Sequence, residues 1–308
     1  MHTPRPSRAG RPAAPLLALT LALSAGCKNE NNVKSIAIDA LAVTAGDFDR
    51  LEETLIRADI QHTVFEGYIR SPLYEADDVD PTLMNPKAEE LFTGTDEDGY
   101  PVMSGFDAIL VNSGTRGLGA YVYNDVDTDD AFLADPRVAA NLADFMKGNR
   151  TLVVTDWAYD LVESNWPEKV QFYDEDLGYD AAQAGVSTEV TAEVVDTGLA
   201  ELLGANVLTL DFGGFSAWTV ISSVDPSVEV YIEADVEVRD SSGQGAVTLR
   251  DVPLLVGFET GSGRVVYSAF PWKAQSPGLA DTLLGFAVDG LDTEASGDQY
   301  ASAEVDGG

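Results

Sequence analysis

The 308-residue sequence has one cysteine, Cys27, and two histidines, His2 and His62. A single thiol excludes any disulfide within the chain and any multi-thiolate metal site, and it leaves nucleophilic catalysis with almost no imidazole to draw on. Basic residues are scarce too: 18 Lys and Arg stand against 52 Asp and Glu, a formal net charge of −34. A field of that sign repels nucleic acid and anionic lipid head groups and argues against both as partners, whereas divalent cations and cationic partners suit it. The acids are widely scattered, as in a chain kept soluble in a salty or cation-rich medium. The N-terminal apolar run, residues 15–25, is too short to span a bilayer. Against these shortages, 45% of the residues are apolar, ample for a sizeable core in one large or two small domains.

The apolar run lies behind Arg5, Arg8 and Arg11 and ahead of Leu23-Ser24-Ala25-Gly26-Cys27. These are the positive, apolar and small-residue regions of an export signal, in order. The segment resembles a bacterial lipobox, with Leu23 one place further from the cysteine than in the commonest pattern. The resemblance implies cleavage before Cys27, lipidation of Cys27, and a mature protein with no free thiol. In that family an aspartate after the cysteine favours inner-membrane retention, and Lys28 stands there instead, so the resemblance implies a lipoprotein held in the cell envelope at the outer membrane. The chain then divides into a signal peptide (1–26), lipidated cysteine and tether (27–32), a folded domain (33–291) and an acidic, disordered tail (292–308).

Within the domain, Ile36, Ile38, Leu41 and Val43 mark a strand, residues 47–58 carry apolar side chains at helical spacing, and residues 62–65 read as a second strand. Residues 67–105 hold no sustained period and read as a long excursion with one helical turn near 88–92. FDAILV (106–111) predicts a buried strand that runs into the turn Asn112-Ser113-Gly114. Asp135-Pro136 starts a helix with Val138, Leu142, Phe145 and Met146 on its apolar face, ended at Gly148. TLVVT (151–155) is another buried strand, followed by an elbow and a short helix to Glu163. Strand, helix, strand at this spacing predicts an α/β fold with a mostly parallel sheet. From about 186 to 258 the texture turns β-rich, as an insertion or extension. GRVVYSAF (263–270) reads as a last core strand and residues 279–291 as a closing helix.

The opening strand and helix, FDAILVNSG, TLVVTDWAYDLVE and GSGRVVYSAFPWKAQ together resemble the class I glutamine amidotransferase-like superfamily. Its flavodoxin-like, doubly wound fold also includes trehalose-utilisation-type proteins. Active members place a cysteine on the sharp turn after the middle strand and a His-x-Glu pair after a later strand, supplying thiolate, base and orienting carboxylate. Here the elbow reads Asp156-Trp157-Ala158-Tyr159, with Trp157 expected in the nucleophile's place. The later stretch reads Phe270-Pro271-Trp272-Lys273, with Pro271 for the histidine and Lys273 for the glutamate. Amidotransferase activity is therefore not implied.

Carboxyl ends of parallel strands line the crevice where doubly wound folds bind ligands. Asp156, Trp157, Tyr159, Trp272 and Lys273 form the candidate crevice, suited to a glycan, peptide or protein ligand if open, with the tryptophans as plugs if closed. His62 has no second histidine to share a role with, and reads as a turn or strand-edge residue. Asp125, Asp127, Asp129 and Asp130 alternate as in a calcium loop, the one cofactor the sequence suggests, but the EF-hand pattern fails with Asp130 at its sixth position and Pro136 at its twelfth. Two functions follow: a non-catalytic binding or scaffolding module, or an envelope hydrolase, metal-assisted or carboxylate acid-base, working at Asp156 on substrates such as glycans.

Overall fold

The computed structural model describes residues 40–67, 85–118, 132–173, 182–214, 217–240 and 245–288. Cys27, the tether, the acidic loop with Asp125, Asp127, Asp129 and Asp130, and the tail lie outside them.

Three short apolar segments, β1 (Leu41–Thr44), β3 (Ala108–Val111) and β4 (Thr151–Thr155), are buried on both faces apart from Thr151. That is the environment in which continuous Val, Ile and Leu runs form central parallel strands. β3 pairs in parallel with β1 on one side and β4 on the other, and β1 pairs in parallel with β2 (Thr63–Phe65). The fifth parallel strand comes from the far end of the chain: β11 (Gly263–Ser268) aligns Arg264 with Thr151 and Ser268 with Thr155. The resulting order, β2-β1-β3-β4-β11, is the flavodoxin-like 2-1-3-4-5 arrangement.

The β-rich half extends this same sheet. β10 (Ala246–Thr260) pairs antiparallel with β11 and with β9 (Glu229–Arg239), and β6 (Glu189–Val194) joins β9 to β7 (Val207–Asp211), making nine strands in all. β5 (Val170–Phe172) and β8 (Ile221–Val224) form a separate two-stranded sheet.

Helices α1 (Leu51–Arg57), α2 (Ala88–Thr93), α3 (Pro136–Phe145) and α4 (Asp160–Asn165) belong to the parallel half. α3 starts where the Asp-Pro signal predicts: Asp135 caps it by accepting from the Arg137 N–H at 2.8 Å, and Val138, Leu142 and Phe145 are buried. α1 starts four residues later than its spacing predicts, because residues 47–49 hydrogen-bond to the turn after β3 instead of winding into helix. A helix the pattern did not predict, α5 (Thr197–Leu203), joins β6 to β7, capped by Asp196 and ended by Gly204 in the left-handed region. Seven residues with one buried apolar side chain, Leu199, give too little periodicity to read. The closing helix, α6 (Pro277–Ala287), starts two residues before its expected place, with Ser276 as cap. Among the described residues no helix is long and apolar enough to cross a membrane.

Trp218 anchors the antiparallel half. It is fully buried, stacks on Phe212 at 4.2 Å, and lies so close to Gly185 that a Cβ there would sit 2.1 Å from the indole.

Candidate functional site

The carboxyl ends of β1, β3 and β4 meet at one edge of the sheet, and the chain reverses direction of progression between β1 and β3. In an open α/β sheet this is where a crevice forms and where helix N-termini face an anionic ligand. Here the loops after β1 and β3 bond to each other across it. Phe48 and Asp49 donate their main-chain N–H groups to the Ser113 carbonyl at 3.1 and 3.3 Å. Gly114, at φ +78°, permits this approach, since a Cβ there would meet the Phe48 ring at 2.6 Å. The start of α1 is likewise occupied from within: Asn112 Oδ1 accepts from the Leu51 N–H at 2.9 Å, while Asn112 Nδ2 donates to Glu52 at 2.6 Å.

The elbow after β4 is a 3-10 turn, Asp156–Ala158, and it corrects one expectation from sequence. The residue in the strained elbow position is Asp156, at φ +38°, one place before Trp157. A short polar side chain that can bond locally tolerates that region, whereas a bulky one is disfavoured there. Asp156 is only 1% exposed. Its Oδ1 accepts from the Thr219 N–H at 2.9 Å, its Oδ2 faces Ser113 Oγ at 3.5 Å, and its carbonyl accepts from the Tyr267 hydroxyl at 3.0 Å. Burial pushes the Tyr267 phenol well above its ordinary range, which keeps it a donor. Ser113 Oγ in turn accepts from the Trp157 N–H at 3.2 Å.

Desolvation pushes the Asp156 carboxyl up to about 8, with the nearby charge of Asp49 adding to the rise and the Thr219 and Ser113 hydrogen bonds opposing it. Asp49 is fully buried as well, and burial raises it in spite of three main-chain donors. These are Trp272 to Oδ2 at 3.0 Å, Lys273 to Oδ1 at 2.9 Å and Arg50 to Oδ1 at 2.8 Å. The Thr219 hydroxyl lies beside the Asp156 carboxyl, yet makes no hydrogen bond of good geometry.

The candidate crevice residues thus have different surroundings. Asp156, Tyr159 and Trp272 are buried, Trp157 is half-buried and Lys273 is exposed. Tyr159 packs against Phe172 at 5.0 Å, within the core. Trp157 packs edge-on against Phe48 at 4.8 Å and donates its indole N–H to the Ala217 carbonyl at 3.2 Å. Trp272 has no exposed surface, and its indole N–H has no partner. Pro271 and Trp272 follow β11 at the same edge, held by Asp49 through the main chain. His62 lies just before β2, at the opposite end of the parallel strands, with Nδ1 2.8 Å from the Ile60 carbonyl. Among the described residues no group of three or more His, Cys, Asp or Glu is arranged to hold a metal ion.

Sequence reasoning placed Asp156 at this edge but missed Asp49, Ser113, Thr219 and Tyr267. Asn112-Ser113-Gly114 was legible as a turn of small polar residues, whereas Asp49 fell inside the stretch read as helical. Nothing in the local sequence tied either to Asp156.

No protein-family model and no curated sequence matches the chain. Similar solved structures include PurLQS from Thermotoga maritima, 11% identical over 80% of this chain and 98% of that one, with a TM-score of 0.45. A glutamine amidotransferase from Thermotoga maritima is 7% identical over 80% and 81% of the two chains, with a TM-score of 0.40. A ThuA-like protein from Bacteroides uniformis is 10% identical over 80% and 87%, with a TM-score of 0.40. The strand order itself places the chain among flavodoxin-like α/β proteins.

Proposed function

We propose that this is a lipid-anchored cell-envelope protein whose amidotransferase-like domain has no glutaminase chemistry and serves as a binding or scaffolding module. The observation that carries this reading is the elbow. Its strained position holds Asp156, a buried carboxyl enclosed by Ser113, Thr219 and Tyr267, where an acyl-transfer enzyme needs an exposed nucleophile and a base within hydrogen-bond reach. The histidine available in the domain, His62, belongs to the other end of the parallel strands. Purified protein incubated with glutamine is expected to release no glutamate above a boiled control; release above that control overturns the reading. The anchor has its own test. Palmitate is expected to label the parent chain and Cys27→Ser to fractionate as soluble protein, and an unlabelled parent or membrane-bound Cys27→Ser removes the lipid from the proposal.

One observation favours the hydrolase reading. Two buried carboxyls, Asp156 and Asp49, each raised by desolvation, are the raw material of general acid catalysis. Hydrolysis of an envelope glycan that disappears in Asp156→Asn, with the fold retained, would move the assignment to that class.

A further inference from the structure

A second hollow lies at the other edge of the sheet. Arg264 is in register with Thr151, the first residue of β4, whereas the elbow follows Thr155, so the two places are separated by the length of the strand. There a cleft of about 460 Å³ opens between β9, β10 and β11 and the residue leading into β5. That volume is typical of small-molecule sites.

The aromatic core closes it from beneath: Phe258 is 3% exposed and Tyr231 2%, and Trp166 packs edge-on against Phe258 at 5.7 Å. Its walls carry both signs of charge, Lys169 and Arg264 with Glu229 and Glu259. These groups are held in place. Arg264 Nη2 donates to the Tyr231 hydroxyl at 3.1 Å and Nη1 to the Phe286 carbonyl at 3.3 Å, with the guanidinium over both rings. The Tyr231 hydroxyl in turn donates to Glu229 Oε2 at 2.8 Å. Lys169 Nζ donates to Ser227 Oγ at 2.8 Å and lies 3.9 Å from Asp225.

In a chain so short of cations, two of them at one cleft are informative. A simple anion would meet Glu229 and Glu259, and a simple cation would meet Lys169 and Arg264. A molecule with one charge of each sign suits both sets of walls together. We propose that the cleft binds a zwitterion, an α-amino acid or short peptide, its carboxylate facing Lys169 and Arg264 and its ammonium facing Glu229 and Glu259. The site uses no residue of the elbow and stands whatever chemistry that edge performs.

The test is calorimetric titration of the full-length protein with L-phenylalanine and with the dipeptide Phe-Phe, followed in parallel by tryptophan fluorescence through Trp166. Saturable binding is expected for at least one probe, with N-acetyl-L-phenylalanine amide, which lacks both charges, about tenfold weaker or more, a difference of about 1.4 kcal/mol. Lys169→Gln and Glu259→Gln should each weaken binding by a similar factor, while Lys147→Gln, an exposed charge elsewhere, should leave it unchanged. No saturable signal up to roughly 10 mM of either probe, equal binding of the blocked derivative, or equal losses in Lys147→Gln would each overturn the proposal.

Discussion

The main-chain N–H of Trp272 donates to Asp49 Oδ2 at 3.0 Å across 223 residues of sequence, pinning the turn after the last strand to the loop after the first. The Lys273 N–H doubles the tie at Oδ1. Asp49→Ala leaves these buried donors without an acceptor and is expected to cost about 2 to 4 kcal/mol. Asp49→Asn, which keeps one carbonyl oxygen, should cost less. Urea midpoints decide the matter, and an alanine variant that unfolds with its parent would show that the tie contributes nothing.

Asp156 makes stability depend on pH in a stated direction. Its folded-state value of about 8 lies above the ordinary 3.8, so between those values the folded chain holds a proton that the unfolded chain has released. The contribution is full below about pH 4 and is lost progressively as pH rises toward 8. Asp156→Asn removes the dependence, and asparagine tolerates the positive φ. Relative to the parent, the variant should gain at least about 1.4 kcal/mol between pH 4.5 and 8, the equivalent of one pKa unit. Parallel stability profiles would refute this.

The two tryptophans of the elbow region should respond differently to truncation. Trp272 is wholly buried and Trp157 only half-buried. Trp272→Ala is expected to cost about 3 to 5 kcal/mol, and Trp157→Ala about 1 to 3, since less surface and one hydrogen bond to the Ala217 carbonyl are lost. Denaturant titration of both gives the comparison, and a larger loss at Trp157 would reverse their assigned roles.

Gly185→Ala places a methyl group against the Trp218 ring. Overpacking of this kind costs about 1 to 3 kcal/mol. Adding Trp218→Leu should make the alanine at 185 less costly than it is alone, and the double-mutant cycle measures that coupling. Simple additivity would show that the backbone moves aside.

The parallel half was legible because its strands are apolar runs buried on both faces: AILV and TLVVT need no context to be read. Residues 47–49 misled, since their helical spacing yielded to hydrogen bonds with Ser113 and Gly114, partners far along the chain. α5 escaped notice because one buried leucine sets no period. At the elbow, the strand–turn–helix pattern gave the position but not its occupant; choosing Asp156 over Trp157 required a φ angle. Asp49 and Thr219 join Asp156 only through tertiary folding, and the cleft beside Arg264 is assembled from strands β9, β10 and β11 with Lys169, so no segment carries its signature.

The position of β11 bears on how the chain assembles. Among the described residues it is the last strand to be synthesised, yet it lies between β4 and β10. Until residues 263–268 leave the ribosome, the apolar strands β4 and β10 each keep an unpaired edge, and the two halves of the sheet cannot join. A chain that stops short of Gly263 would offer both edges to other chains, so a late premature stop would produce an aggregating polypeptide in place of a smaller folded one.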